Sequence, residues 1–124
     1  MVNIITSSRY KINRKRIKNA LGIFLQEKNL PADLLVNIIF VGRKKMKEIT
    51  ISYKHESETL PVLSFPFSKL KSLAENKTEN HEEKLLGEVF ICYPLAVLLA
   101  AERNKRVEDM IEWLIKHGVE NLLK

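Results

Sequence analysis

The eight-residue run from Leu34 to Val41, in which only Asn37 is polar, constrains the fold of this chain more than any other feature. Branched and aromatic residues favour β-strands. A run that is apolar almost throughout, rather than alternating, is typical of a strand buried on both faces of a sheet. We therefore predict a strand inside a sheet that other elements cover, ending at Gly42.

The remaining segments supply partners for this strand. Further strands are predicted at residues 2–6, 60–65 and 85–92, and helices at 13–28, 43–53, 94–103 and after Asn104. The order β-α-β-α-β-β-α-α indicates the α+β class, with a small mixed four-stranded sheet and helices packed mainly on one face. Helical crossovers favour parallel strand pairs, and we expect the strand at 85–92 to run antiparallel. A chain of 124 residues suits one domain over 1–124.

Apolar spacing supports two of these helices. Asn13 is a suitable N-cap for the first of them, whose core-facing stripe is Ile17, Ala20, Leu21, Phe24 and Leu25. The final helix carries a second stripe with a 3.6-residue period, formed by Val107, Met110, Ile111, Leu114, Ile115, Gly118 and Leu122. Trp113 falls near the edge of that stripe, and we expect it to pack.

The basic residues are concentrated in two clusters. The first is Arg9, Lys11, Arg14, Lys15, Arg16 and Lys18, and the second is Arg43, Lys44, Lys45 and Lys47. With a formal net charge of +6, they favour a polyanionic partner such as RNA, although solvated helix starts explain them equally well. The aromatic residues are not interleaved with basic ones along the chain, as a base-stacking surface would require.

The sequence also predicts a compartment. Every apolar run is shorter than the roughly 18 residues that a membrane span needs, and the first residues lack the layout of a signal peptide. The single cysteine, Cys92, fits a reducing environment. We expect a cytoplasmic protein without a membrane partner, with Cys92 as a small core residue rather than a nucleophile.

The last eight residues contain half of a metal-binding pattern. A helix places positions i and i+4 on one face, so that a histidine and a second ligand there can bind one metal ion. The two positions are His117 and Asn121, and an asparagine is a poor zinc ligand. From the pattern alone, both residues are better explained as polar residues at the boundary of the core.

Three segments, in this order, resemble one known family. Met46, Ile49, Tyr53 and Lys54, followed by Pro61 to Pro66, are similar to its stretch L-N-x-x-Y-R … D-V-L-S-F-P. Leu85 to Cys92 resembles its strand L-L-G-D-I-x-I-x, and Ile115 to Leu123 resembles its motif H-G-x-L-H-L-L-G-Y-D-H. The family is YbeY, a bacterial rRNA maturation factor described as a zinc-dependent single-strand endoribonuclease.

The resemblance implies a function and a set of site residues. It implies rRNA 3′-end processing and ribosome quality control, with single-stranded or ribosomal RNA and the ribosome as partners and zinc as the cofactor. His117 matches the first zinc ligand and Asn121 occupies the second position. Lys54 stands where the family has a catalytic or RNA-contacting arginine, and Ser64 matches the serine of the strand motif. Arg43, Lys44 and Lys45 are the expected RNA-binding residues.

The departures from the family motif leave three explanations open. A third histidine is expected beyond Lys124 if the chain is cut short, which the absence of a Gly or Asn cap after the last helix favours. Asn121 is alternatively an introduced change that silences the site. The third explanation is a natural relative that binds RNA or the ribosome without cutting. A metal-dependent hydrolase acting on another substrate, such as a peptide, is a further alternative, although no Glu adjoins His117 as in H-E-x-x-H.

Overall fold

The computed structural model describes residues 1–31, 33–54, 59–67 and 84–124. Its strands are β1 (Val2–Ile5), β2 (Leu34–Val41), β3 (Val62–Pro66) and β4 (Lys84–Cys92). Its helices are α1 (Arg14–Glu27), α2 (Arg43–Ile49), α3 (Tyr93–Glu102) and α4 (Val107–Leu122), and a π-helical turn (Thr50–Lys54) continues α2. The predicted element order and α+β class are therefore confirmed. No described helix is long and apolar enough to cross a membrane.

The four strands form one mixed sheet in the order β1-β2-β4-β3. β1 pairs with β2 and β2 with β4 in parallel, whereas β3 pairs with β4 in the antiparallel direction. The strand predicted at 85–92 to run antiparallel does so only relative to β3; it is parallel to β2, and β3 is the strand that opposes the other three. β3 lies at the edge of the sheet, a position that tolerates Pro61 beside its first residue.

One face of the sheet carries the main core, and we call it the helix face. Alternate residues of the two central strands point there, including Val36, Ile38, Val89 and Ile91, and they pack with buried side chains of α1, α3 and α4. The second face is covered by α2, whose Met46 and Ile49 pack with Leu63, Phe65 and Cys92. Helices thus lie mainly on one face, as predicted.

β2 is buried on only one face, so the prediction that both its faces are buried was wrong. Val36, Ile38 and Phe40 are buried, whereas Asn37, Ile39 and Val41 between them are half-buried. Asn37 accepts a hydrogen bond from Asn3 of β1 at 3.3 Å and donates one to Glu88 of β4 at 3.2 Å. This polar row across three strands satisfies the side chain that interrupts the apolar run.

The ends of the helices follow local signals in the sequence. Asn13 caps α1, because its side chain accepts a hydrogen bond from the backbone N–H of Arg16 at 3.0 Å. Asn29 and Asn104 have positive φ angles just after α1 and α3, as asparagine tolerates where a helix ends. Pro94 lies in the first turn of α3, where its missing N–H costs nothing. The predicted helix at 43–53 is instead a seven-residue α-helix followed by the π-helical turn.

Arg16 joins α1 to the start of α4. Its guanidinium lies 2.9 Å from Glu108, 2.6 Å from Asp109 and 3.0 Å from Glu112. The hydrogen bond from Arg16 lowers the pKa of Asp109 below its ordinary value. Part of the first basic cluster therefore serves to hold the helices together.

Replacing Arg16 by methionine should make the free energy of unfolding less dependent on pH in the acidic range. Because the pKa of Asp109 is lowered in the folded state, the pair stabilises the protein above the ordinary aspartate pKa of about 4 and loses this effect as the pH falls below it. The wild type should therefore be more stable than Arg16→Met near pH 7, and the difference should shrink below about pH 4. Urea unfolding at several pH values measures this. Lys28→Met, which removes the exposed 3.5 Å pair with Glu120, is the control. If the difference in stability between the wild type and Arg16→Met did not change with pH, Arg16 would not be the cause of the lowered pKa of Asp109.

Candidate functional site

The predicted site residues lie on two elements that both pack against the edge strand β3. Ser64 points to the helix face, where α4 packs, and the next residue, Phe65, points to the second face. α4 carries His117 and Asn121, whereas the π-helical turn on the other side carries Lys54. The structure therefore places the predicted site residues on two elements that contact neighbouring residues of one strand.

α4 lies unusually close to β3 and β4 at Gly118. The hydroxyl of Ser64 donates a hydrogen bond to the carbonyl oxygen of Gly118 at 2.7 Å. A Cβ at position 118 would lie 2.5 Å from Cγ1 of Val89 and 3.1 Å from Cγ2 of Val62. Only glycine fits this approach, so Gly118 and Ser64 together set the position of His117. This contact gives Ser64 a positioning role; its role in RNA binding stays a prediction.

The π-helical turn that ends at Lys54 is held from two sides. Thr50 is fully buried, and its hydroxyl donates to the carbonyl oxygen of Met46 at 2.8 Å. Such back-bonding to the preceding turn bends helices, and π-helical turns are frequent at functional sites. Tyr53 contacts Phe65 edge to face, with 5.5 Å between the ring centroids. Lys54 follows directly and is exposed.

His117 and Asn121 lie one turn apart on α4, as the i, i+4 spacing predicts. His117 is exposed and Asn121 is half-buried. The imidazole of His117 stacks on the indole of Trp113, with 5.3 Å between centroids and 4° between planes. The histidine ring is thus oriented by an aromatic neighbour on its own helix.

The described residues do not fit a catalytic zinc ion. Such a site usually takes three protein ligands and a water molecule. Within the described ranges, no group of three or more His, Cys, Asp or Glu residues could hold a metal ion. His117 has only the amide of Asn121 at the expected position of a second ligand. The sequence also predicts polar loops at 54–59 and 74–83, with His55 and His81 exposed in them; apart from Lys54 and Thr59, these residues lie outside the described part of the chain.

The two basic clusters differ in the structure. In the first, Arg16 is bound to three carboxylates and Arg14 donates to the carbonyl oxygen of Ile4 at 2.8 Å. In the second, Arg43, Lys44 and Lys45 are exposed at the start of α2. None of the ion pairs formed within the described part of the chain involves these three residues. The second cluster, with Lys54 at the end of the same helical segment, is therefore an exposed cationic surface, and Arg9, Lys11, Lys15 and Lys18 of the first cluster are exposed as well.

Trp113 does not pack in the core as expected, because 52% of its surface is exposed. The guanidinium carbon of Arg103 lies 5.9 Å from the centroid of the indole. Ten residues separate the two in sequence, and the turn between α3 and α4 brings them together. No local pattern marks this pairing, so it could not be predicted from the sequence.

Cys92 is buried at the end of β4, as predicted. Burial raises the pKa of its thiol. Since the thiolate is the reactive form, this cysteine is not suited to act as a nucleophile near neutral pH.

A protein-family model described as Endoribonuclease YbeY matches residues 3–123. The chain belongs to the YbeY family. An Endoribonuclease YbeY of Mycoplasma mobile is 32% identical over 114 residues, which cover 92% of this chain and 70% of that protein. One of Thermodesulfovibrio yellowstonii is also 32% identical, over 93 residues, or 75% of this chain and 54% of that protein. The chain thus spans little more than half the length of this second YbeY relative.

The fold agrees with that of a solved structure. The solution structure of TM1509 from Thermotoga maritima matches with a TM-score of 0.64 and 21% identity, covering 100% of this chain and 73% of that one. At this identity the match supports the fold alone. The predicted resemblance to YbeY is confirmed by the family model, and the site residues carried over from the family motif remain predictions.

Proposed function

We propose that this chain acts on RNA in ribosomal RNA maturation, as a YbeY-type endoribonuclease domain working in the cytoplasm. The observation that carries this proposal is the family match over residues 3–123, because the relatives it joins are named endoribonucleases. Processing of the rRNA 3′ end and ribosome quality control are the finer roles that we propose with it, and zinc is the cofactor that we expect of the whole enzyme.

The residues that would bind the RNA are the exposed cations beside β3. Arg43, Lys44 and Lys45 begin α2, and Lys54 ends the helical segment that α2 starts. Phosphates are bound by such side chains with release of counterions. Lys54 would contribute a positive charge near the phosphate, although without the planar, two-pronged donor geometry of an arginine. In this proposal Ser64 has two roles: it holds α4 against β3, and it contacts the RNA at the edge of the sheet.

A second candidate function is RNA or ribosome binding without cleavage. It is favoured by Asn121, which stands at the second ligand position, and by the lack of a three-ligand group within the described residues. The described residues do not supply the ligands that a metal-dependent step would need. The cationic surface serves both candidates equally.

One experiment separates the two functions. The purified chain is incubated with single-stranded rRNA fragments in the presence and absence of zinc, and binding and cleavage are measured in parallel. Binding with zinc-dependent cleavage would support the endoribonuclease. Binding without cleavage would support the second candidate, and a lack of RNA binding would overturn both.

Removing the cations of α2 should weaken RNA binding in a salt-dependent way. In the variant Arg43→Gln, Lys44→Gln, Lys45→Gln, we expect the slope of log K against log salt to become shallower by about 2, because each phosphate contact to single strands contributes about 0.7. The control removes the same charge from the first cluster, through Lys11→Gln, Lys15→Gln and Lys18→Gln. Equal loss of affinity in both variants would show that the net charge, and not this surface, attracts the RNA.

A further inference from the structure

The exposure of Trp113 is unexpected for a tryptophan. It is the only tryptophan of the chain, and it projects from α4, whose opposite side is buried against the sheet. Tryptophan is highly buried on average. An exposed indole leaves a large apolar area in contact with water, whereas a buried one would stabilise the fold. The residue therefore contributes little to the core, although its helix is firmly packed.

The indole is held in place by its neighbours. The parallel imidazole of His117, 5.3 Å away and tilted by only 4°, lies one turn further along the same helix. Both side chains are carried by a helix that Gly118 and Ser64 hold against the sheet. A flat ring fixed on a rigid helix loses little conformational entropy when a ligand stacks on it.

The charges around the indole suit an anionic ligand. Arg103 places its guanidinium 5.9 Å from the ring centroid, within the roughly 6 Å range of a cation–π contact. The carboxylates of Glu108, Asp109 and Glu112 on α4 are paired with Arg16, and those of Glu108 and Glu112 also lie 3.7 Å from Arg106 and Lys116 respectively. Arg103 is exposed. Its flexible side chain can leave the indole and bind a phosphate instead.

We propose that Trp113, oriented by His117 and flanked by Arg103, is a stacking platform for an unpaired RNA base. The base would stack on the indole while the guanidinium of Arg103 binds the adjoining phosphate, the combination by which proteins hold single strands. A nucleotide suits this site better than an apolar protein surface does. An apolar partner would bury the charge of Arg103 without supplying an anion to pair with it, and such burial is unfavourable. This inference rests on the proposed function, since it names a second RNA contact, on α4 rather than on α2.

The test uses the fluorescence of Trp113, which is the sole tryptophan and therefore an unambiguous reporter. Titration with a short single-stranded oligouridylate should quench its emission, whereas a duplex RNA of the same length should quench it little, because its bases are already paired. Trp113→Ala should lower the affinity for the single strand between roughly 5-fold and 150-fold, the range for loss of one stacked base. Because the variants lack this reporter, their affinity is measured by the fluorescence anisotropy of a labelled oligouridylate. Trp113→Phe should restore most of the affinity.

Two controls separate stacking from other causes. Ile23→Ala removes an equally exposed apolar side chain from α1, with 58% exposure at that position, and should leave the affinity unchanged. The salt dependence of binding should be the same for Trp113→Ala as for the wild type, because no charge is removed.

The outcomes distinguish this inference from the function on which it rests. RNA binding that persists in Trp113→Ala with unchanged affinity, and without quenching in the wild type, overturns the platform and leaves the proposed function standing. A lack of RNA binding by every variant overturns both. Binding of a protein partner that Trp113→Ala abolishes, with RNA affinity unaffected, would show that the exposed indole serves protein docking instead.

Discussion

Replacing Gly118 by alanine should destabilise the protein by about 1–3 kcal/mol, the usual cost of forcing an additional methyl group into a packed core. The new Cβ would lie 2.5 Å from Cγ1 of Val89, a buried side chain in the middle of the sheet. α4 would have to move outwards, which would stretch the hydrogen bond from Ser64 to the carbonyl oxygen of Gly118. Urea unfolding at constant pH measures the change.

Gly22→Ala is the matched control, because it makes the same change on the exposed side of α1. A Cβ at position 22 meets nothing within 4 Å. There the higher helix propensity of alanine should act alone and stabilise the protein by about 0.5–1 kcal/mol. The two substitutions should therefore have opposite signs. A Gly118→Ala variant as stable as the wild type would show that α4 does not approach the sheet this closely.

Replacing Met46 by alanine should cost about 2–5 kcal/mol and should also weaken RNA binding. Met46 is fully buried and is the main anchor of α2, together with Ile49. A helix of seven residues is too short to be stable by itself, so α2 depends on this contact. Loosening it would disperse Arg43, Lys44 and Lys45, the cations that we propose bind RNA.

Unfolding in urea and RNA affinity below the unfolding transition are the two measurements for Met46→Ala. Ile51→Ala, in the adjoining π-helical turn, is the control, because Ile51 is 48% exposed and should affect neither quantity strongly. Lower stability with unchanged RNA affinity would mean that the orientation of α2 does not matter for binding. The RNA would then be bound by a surface other than that of α2.

Much of the fold could be predicted from short-range patterns. The apolar run of β2, the stripe of α4 and the cap at Asn13 each report a local preference that the structure keeps. The direction of β3 could not be predicted, because pairing depends on which strands meet rather than on the composition of one strand. The π-helical turn was missed for a related reason: apolar spacing alone does not reveal that the buried hydroxyl of Thr50 bonds to Met46.

The candidate site was only partly predictable. The motif residues His117 and Asn121 lie one turn apart, as helical spacing requires, and Lys54 is exposed at the end of the helical segment that α2 begins. The two basic clusters look alike in the sequence, and only the structure shows that Arg16 is bound to the carboxylates of α4. Ion pairs across roughly ninety residues leave no local signature.

The sequence by itself determined which segments become strands and helices, since hydrophobic periodicity and capping act over a few residues. It also carried the family motifs, which depend on residue order alone. Only the tertiary structure decided which cations remain open, how closely Gly118 approaches the sheet, and that Arg103 meets Trp113 at the surface. Those outcomes depend on how α3 and α4 pack against the sheet, because packing brings together side chains whose distance along the chain says nothing about their distance in space.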